Sequence, residues 1–133
     1  MNYIKRSTQG IFISGNSKEY LTKGLKQSIN DICIRNLSTF EGREMAAGIL
    51  LNRKSILPIY VNSEICLFPT ESIRNYGCIY VNYYELLSFK EVVGNETKIV
   101  FYDLSEIFVK ISYQKIRKQV VRVQTILAEK NAK

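Results

Sequence analysis

The stretch Ser63–Cys78, S-E-I-C-L-F-P-T-E-S-I-R-N-Y-G-C, decides how the rest of the chain is read. Ile65 to Phe68 form a short apolar strand that meets Pro69, whose fixed φ and missing N–H end a ladder. The next residues form a surface loop. Thr70, Ser72, Arg74 and Asn75 crowd it with hydroxyl, guanidinium and amide groups before Gly77 and Cys78 open another strand. A polar, singly basic loop between two apolar strands serves either as a phosphate contact or as a solvated turn.

Upstream, Gly10–Ser14 reads as a strand, Gly15–Lys18 as a turn cluster and Glu19–Thr22 as a second, weaker strand. Ser28 with Asp31 resembles a helix N-cap pair, and Ile29, Ile32, Cys33 and Leu37 recur at helical spacing. From Thr39 a second helical pattern runs through Arg43, Met45, Ala46 and Ala47 toward Leu51, although Gly42 and Gly48 each weaken it by about 1 kcal/mol relative to Ala. Two short helices around a turn admit a helix-turn-helix, with Arg43 near the start of a recognition helix. The long β-rich region that follows argues against it.

Strands are predicted at Ser55–Asn62, with Pro58 marking an edge, and at Ile65–Phe68, Cys78–Tyr84, Lys98–Tyr102 and Glu106–Ile111. Ile107, Val109 and Ile111 alternate with Phe108 and Lys110, as in a half-buried antiparallel strand. Gly94-Asn95 marks one turn and Tyr102-Asp103-Leu104-Ser105 a tight hairpin, with leucine poorly suited to a position needing φ > 0. From Tyr113 the period becomes helical, with Ser112 as N-cap. Ile116, Val120, Val123 and Leu127 share one face; Lys115, Lys118 and Arg122 form a separate basic stripe. The expected fold is α+β, an antiparallel β-rich single domain over 1–133 with short helices near 29–51 and a C-terminal amphipathic helix.

The chain has 133 residues and a net charge of +7, enough length for one domain with a real core. The charge is uneven. Residues 1–37 carry +4, residues 38–62 +1, residues 63–112 −3 and residues 113–133 +5. If the fold gathers the basic ends on one side, the field there attracts a polyanion; the alternative is that the charge serves solubility. No apolar run approaches the roughly 18 residues that span a bilayer, and the first residues lack the apolar core of a secretory signal. Cys33, Cys66 and Cys78 lie far apart among apolar neighbours, as expected of reduced, buried thiols in a cytosolic protein.

Catalysis finds little support. The sequence contains no histidine, so the usual general base and the Ser-His and Cys-His nucleophile pairs are missing. No glycine-rich phosphate loop or metal-ligand spacing is legible, and neither cofactor nor metal is expected.

The chain resembles the ComK family of bacterial competence transcription factors from about Ser28 to Leu127. The resemblance rests on Cys33 followed by S-T-F-E-G-R at Ser38–Arg43, P-I-Y-V at Pro58–Val61, L-F-P-T at Leu67–Thr70, Ser72, Cys78, and I-S-Y at Ile111–Tyr113. Two family glycines are replaced, by Leu37 and by Leu104. The family's segment beyond the last helix, associated with activation, oligomer assembly or capture for proteolysis, has no counterpart after Lys133, so DNA binding is the property expected to be retained. The resemblance implies a cytoplasmic, nucleoid-associated activator of DNA-uptake genes. It would recognise paired A/T-rich boxes of double-stranded DNA through the minor groove, as a homodimer or pair of dimers, with an adaptor, a protease or a homologue as further partners and no membrane.

Narrow A/T-rich minor grooves are strongly negative and attract arginine, while lysines on the flanks hold phosphates. Arg43 and Arg74 are the first choices to enter the groove, with Ser38, Thr39, Thr70 and Ser72 donating to phosphates from the same two loops. Arg35, Arg53 and Lys54 follow, then Lys115, Lys118 and Arg122. For each arginine the competing role is a local salt bridge or helix cap. Arg43→Ala and Arg74→Ala are each expected to weaken binding by about 1–3 kcal/mol. Two rival functions stay open: a shortened interaction module that modulates a full-length homologue, and an RNA-binding domain.

Overall fold

The computed structural model describes residues 1–15 and 19–132. Ile65–Pro69 is strand β5, and its burial explains why it reads as a continuous apolar run. Leu67 joins a core with Ile4, Ile29, Ile32 and Phe40 on one side. Cys66 and Phe68 join Ile99, Phe101, Ile116, Val120 and Val123 on the other. A strand covered on both faces has no solvent side on which to alternate.

In chain order the elements are β1 (Tyr3–Ser7), β2 (Gly10–Ser14), β3 (Glu19–Leu21), α1 (Leu25–Ile34), α2 (Phe40–Leu51), β4 (Ile59–Asn62), β5, β6 (Ile79–Asn82), a 3₁₀ turn (Tyr83–Glu85), β7 (Leu86–Val92), β8 (Glu96–Phe101), β9 (Glu106–Val109) and α3 (Tyr113–Asn131). Six strands form one antiparallel sheet in the order β3-β2-β1-β6-β5-β4, and β7-β8-β9 form a second. Helix α1 covers one face of the large sheet. Helix α3 and the small sheet cover the opposite face. Ala47 of α2 meets Leu57 and Ile126 beyond the β4 edge, so α2 and α3 touch there. The architecture is α+β, as expected from the sequence.

Several boundaries differ from the sequence-based expectation. Helix α1 begins at Leu25, with Gly24 as cap, because burial of Leu25 extends the inward face one turn earlier. Ser28 lies inside the helix, its hydroxyl donating back to the Gly24 carbonyl at 2.8 Å. The strand expected from Ser55 starts only at Ile59, since Ile56 takes φ 56° and cannot stay extended; β4 is nevertheless an edge, as Pro58 indicated. The strand from Cys78 narrows to Ile79–Asn82, where the Asn82 side chain accepts from Tyr84 N–H and starts the 3₁₀ turn. Strands β1 and β7 were not anticipated. Of the expected turn cluster, Asn16–Lys18 lies outside the described residues. The helix-turn-helix alternative loses its basis, because α1 and α2 pack on a sheet and not within a helical domain.

Leu37 and Leu104 hold backbone conformations with a clear physical consequence. Leu37 has φ 62° and Leu104 φ 69°, both in the left-handed region that favours glycine. Leu37 is 98% exposed and Leu104 75%, so neither side chain repays the strain by packing. Leu37→Gly and Leu104→Gly are each expected to raise stability by about 0.5–1 kcal/mol, adding in the double variant, as read by urea denaturation.

All three cysteines are buried and free. Burial pushes the Cys66 thiol up to about 12 and Cys78 up to about 11. Folded thiols therefore keep protons that unfolded ones, with pKa about 8.5, release. Stability from this source is complete below about pH 8.5 and declines as pH rises toward 11. Thermal midpoints should hold level between pH 6 and 8 and fall above pH 9, and a thiol reagent at pH 8 should label the folded chain only as fast as it opens.

Candidate nucleic-acid interface

Where β5 ends, three distant parts of the chain meet. The loop after β5, the basic face of α3 and the segment after α2 enclose a cleft of about 400 Å³. Arg53, Thr70, Ser72, Lys115, Lys118 and Arg122 line it together. All six were candidates from the sequence. Lys115, Lys118 and Arg122 share this wall because steps of three and four keep a stripe beside the buried Ile116, Val120 and Val123.

Gln119 sets the geometry. It is a buried amide, 2% exposed, on the inward face of α3. Its Nε2 donates to the Pro69 carbonyl at 2.7 Å, and its Oε1 accepts from Arg122 Nη1 at 2.7 Å. The proline that stops β5 thus anchors the helix, and the anchor aims the arginine. Burial, and then the charge of Arg53, hold the Arg122 pKa below its ordinary value. Arg53 Nε is itself buried with no hydrogen-bond partner.

Two guanidinium groups close enough to feel one another need a counter-charge. Among the described residues the ion pairs are Lys23–Asp31, Lys26–Glu41 and Lys98–Glu106, none of them in the cleft. Glu71 borders the cleft, and its Oε1 accepts from Asn75 Nδ2 at 2.8 Å. Such a surplus of positive charge suits an anion.

The loop itself is held from behind. Arg6 of β1 donates from Nη1 to the Asn75 carbonyl at 2.9 Å and from Nη2 to the Ile73 carbonyl at 2.7 Å. Thr70 is buried, and its hydroxyl oxygen accepts from Ile79 N–H at 3.0 Å. Ser72 Oγ accepts from Arg74 N–H at 3.3 Å, and Arg74 lies exposed on the same loop.

The remaining candidates lie elsewhere. Arg43 of α2 sits over the Tyr60 ring at 5.2 Å, and Lys130 of α3 lies 5.1 Å from the same ring. Both line an apolar cleft with Asn62 and Ser63, at the turn into β5, whereas Arg74 belongs to the loop leaving it. Arg43 and Arg74 therefore stand at opposite ends of that strand. Ser38 Oγ donates to the Cys33 carbonyl at 3.2 Å, and Thr39 caps α2 by accepting from Gly42 N–H at 2.9 Å. Arg35 is exposed at the C-cap of α1, and Lys54 borders a groove along α2.

Gln119 and Arg6 were not singled out from the sequence. Gln119 had a signal: a polar residue between Ile116 and Val123 on an otherwise apolar helical face. Arg6 had none, since its targets are backbone carbonyls far along the chain.

No helix of the described residues is long and apolar enough to cross a membrane. No curated protein and no solved structure matches the chain. A family model described as ComK protein matches residues 2–133. The chain accordingly belongs to the ComK family, a family of competence transcription factors.

Proposed function

We propose that the chain acts as one DNA-binding domain, a transcriptional activator of DNA-uptake genes that recognises A/T-rich duplexes. The observation that carries this reading is the convergence of Arg53, Lys115, Lys118 and Arg122 on one cleft, none of them in an ion pair with a carboxylate of the described residues. In this reading those four side chains hold phosphates, and Arg74, exposed on the adjoining loop, reaches the minor groove. A/T preference then comes from groove width and potential, with few base contacts. Two copies would occupy paired boxes.

The test is a titration of A/T-rich and G/C-rich duplexes at several salt concentrations. Four neutralised phosphates predict that log K falls with log[salt] at a slope of about −3 to −4 per subunit. The A/T-rich duplex should bind more tightly. Equal affinity for both duplexes together with a flat salt response would sink the reading. Preference for single-stranded RNA in competition would favour an RNA-binding domain instead.

A further inference from the structure

We infer that the cleft between α2, β4 and the end of α3 binds a small organic monoanion, a carboxylate carried on an apolar body of about a dozen non-hydrogen atoms. The cleft measures about 570 Å³, a volume that suits a ligand of this size. Ala47, Leu50, Val61 and Ile126 give it apolar walls, to which Tyr60 adds its ring. Those walls take the body of the ligand; the charge is taken at one end.

Two cations meet at the Tyr60 ring. Arg43 lies 5.2 Å from the ring centroid and Lys130 5.1 Å. The ring quadrupole attracts both, yet neither forms an ion pair with a carboxylate of the described residues. Arg43 Nε is buried and lacks a hydrogen-bond partner among those residues. Buried donors are nearly always satisfied, so an orphaned guanidinium edge on the wall of a cleft points to an acceptor from outside the chain. That edge is half of the fork with which arginine holds a carboxylate bidentately. Glu129 also lines the cleft. Its charge repels a second negative group, so the site selects a single carboxylate over a phosphate dianion or a dicarboxylate.

This cleft stands at the other end of β5 from the basic one, and the inference does not rest on DNA binding. Phenylacetate, octanoate and indoleacetate serve as probes, titrated into the isotope-labelled full chain without DNA and followed by backbone amide chemical shifts. At least one should perturb Ala47, Val61 and Ile126 with a dissociation constant of about 0.1–1 mM. The matching amide, which lacks the charge, and acetate, which lacks the body, should each bind about tenfold more weakly or worse. Arg43→Gln should weaken the acid by about tenfold or more. Ala46→Glu changes an exposed position one turn along α2 from Arg43 and sets a carboxylate beside the cations. It should abolish binding of the acid while the thermal transition stays in place. Glu129→Gln should tighten binding by about twofold to threefold. Absence of binding by all three acids at about tenfold above that concentration range overturns the proposal. So do an amide that binds as well as its acid, shifts confined to Lys115, Lys118 and Arg122, and binding indifferent to both Arg43→Gln and Ala46→Glu. Failure of the parent chain to bind DNA counts against the DNA reading alone.

Discussion

Replacing Arg53 and Arg122 together by alanine is expected to weaken binding to an A/T-rich duplex by about a hundredfold or more, and to leave the folded state as stable as before or more so. Each guanidinium removed takes with it a charged hydrogen bond to phosphate, worth roughly 1.5–3 kcal/mol, and both arginines line the same cleft. Stability should not suffer, because the pair is electrostatically frustrated when no anion is present. Burial and the nearby Arg53 both disfavour the charged form of Arg122, and Arg53 Nε lacks a partner. A site that stores repulsion until its ligand arrives gains fold stability when dismantled. The companion measurement is Arg43→Ala, which is now expected to leave DNA affinity within about twofold, because that guanidinium lies on Tyr60 at the other end of β5. A double variant that binds like the parent, beside an Arg43→Ala variant that fails to bind, would move the interface to the β4–β5 turn.

Asn82→Leu is expected to destabilise the chain by about 3–5 kcal/mol, a large share of a domain's total stability. Asn82 is 1% exposed and uses its amide fully. Its Oδ1 accepts from Cys66 N–H at 3.1 Å and from Tyr84 N–H at 3.3 Å, while its Nδ2 donates to the Met1 carbonyl at 2.9 Å and the Glu64 carbonyl at 3.1 Å. One side chain thereby ties the N-terminus, the β4–β5 turn, the start of β5 and the 3₁₀ turn. Leucine fills the same volume and leaves those backbone groups without partners in a dry interior, which is what makes the substitution costly. Asn82→Asp keeps both acceptors and loses both donations, so it should fall at least as far at neutral pH and recover in part as the carboxyl protonates. Guanidinium denaturation reads both; a loss below 1 kcal/mol for Asn82→Leu would show that water replaces the amide.

The features legible in the sequence are those whose causes lie within a few residues. Thr39 and Ser112 cap their helices because each hydroxyl reaches an N–H three residues ahead. The Gly94-Asn95 turn follows from two residues that tolerate positive φ, here 87° and 61°. Helix α3 sorts Ile116, Val120 and Val123 inward and its lysines outward by period alone. Where burial competes with a local signal, the local signal fails: Ser28 has cap chemistry, yet Leu25 brings the helix start forward to bury itself.

The candidate site divides along the same line. The residue types and the basic face of α3 come from the sequence alone, as does a loop after Pro69. Which of the basic residues share a cleft was decided only by the tertiary structure. Arg43 and Arg53 lie ten positions apart along one segment, but α3 runs antiparallel to α2. That places Lys130 beside Arg43 and Arg122 beside Arg53. Helical period fixes the side of a helix on which a charge stands; its neighbour across the interface depends on which strands separate the helices and in what direction each crosses them, and spacing within one segment carries no information about that.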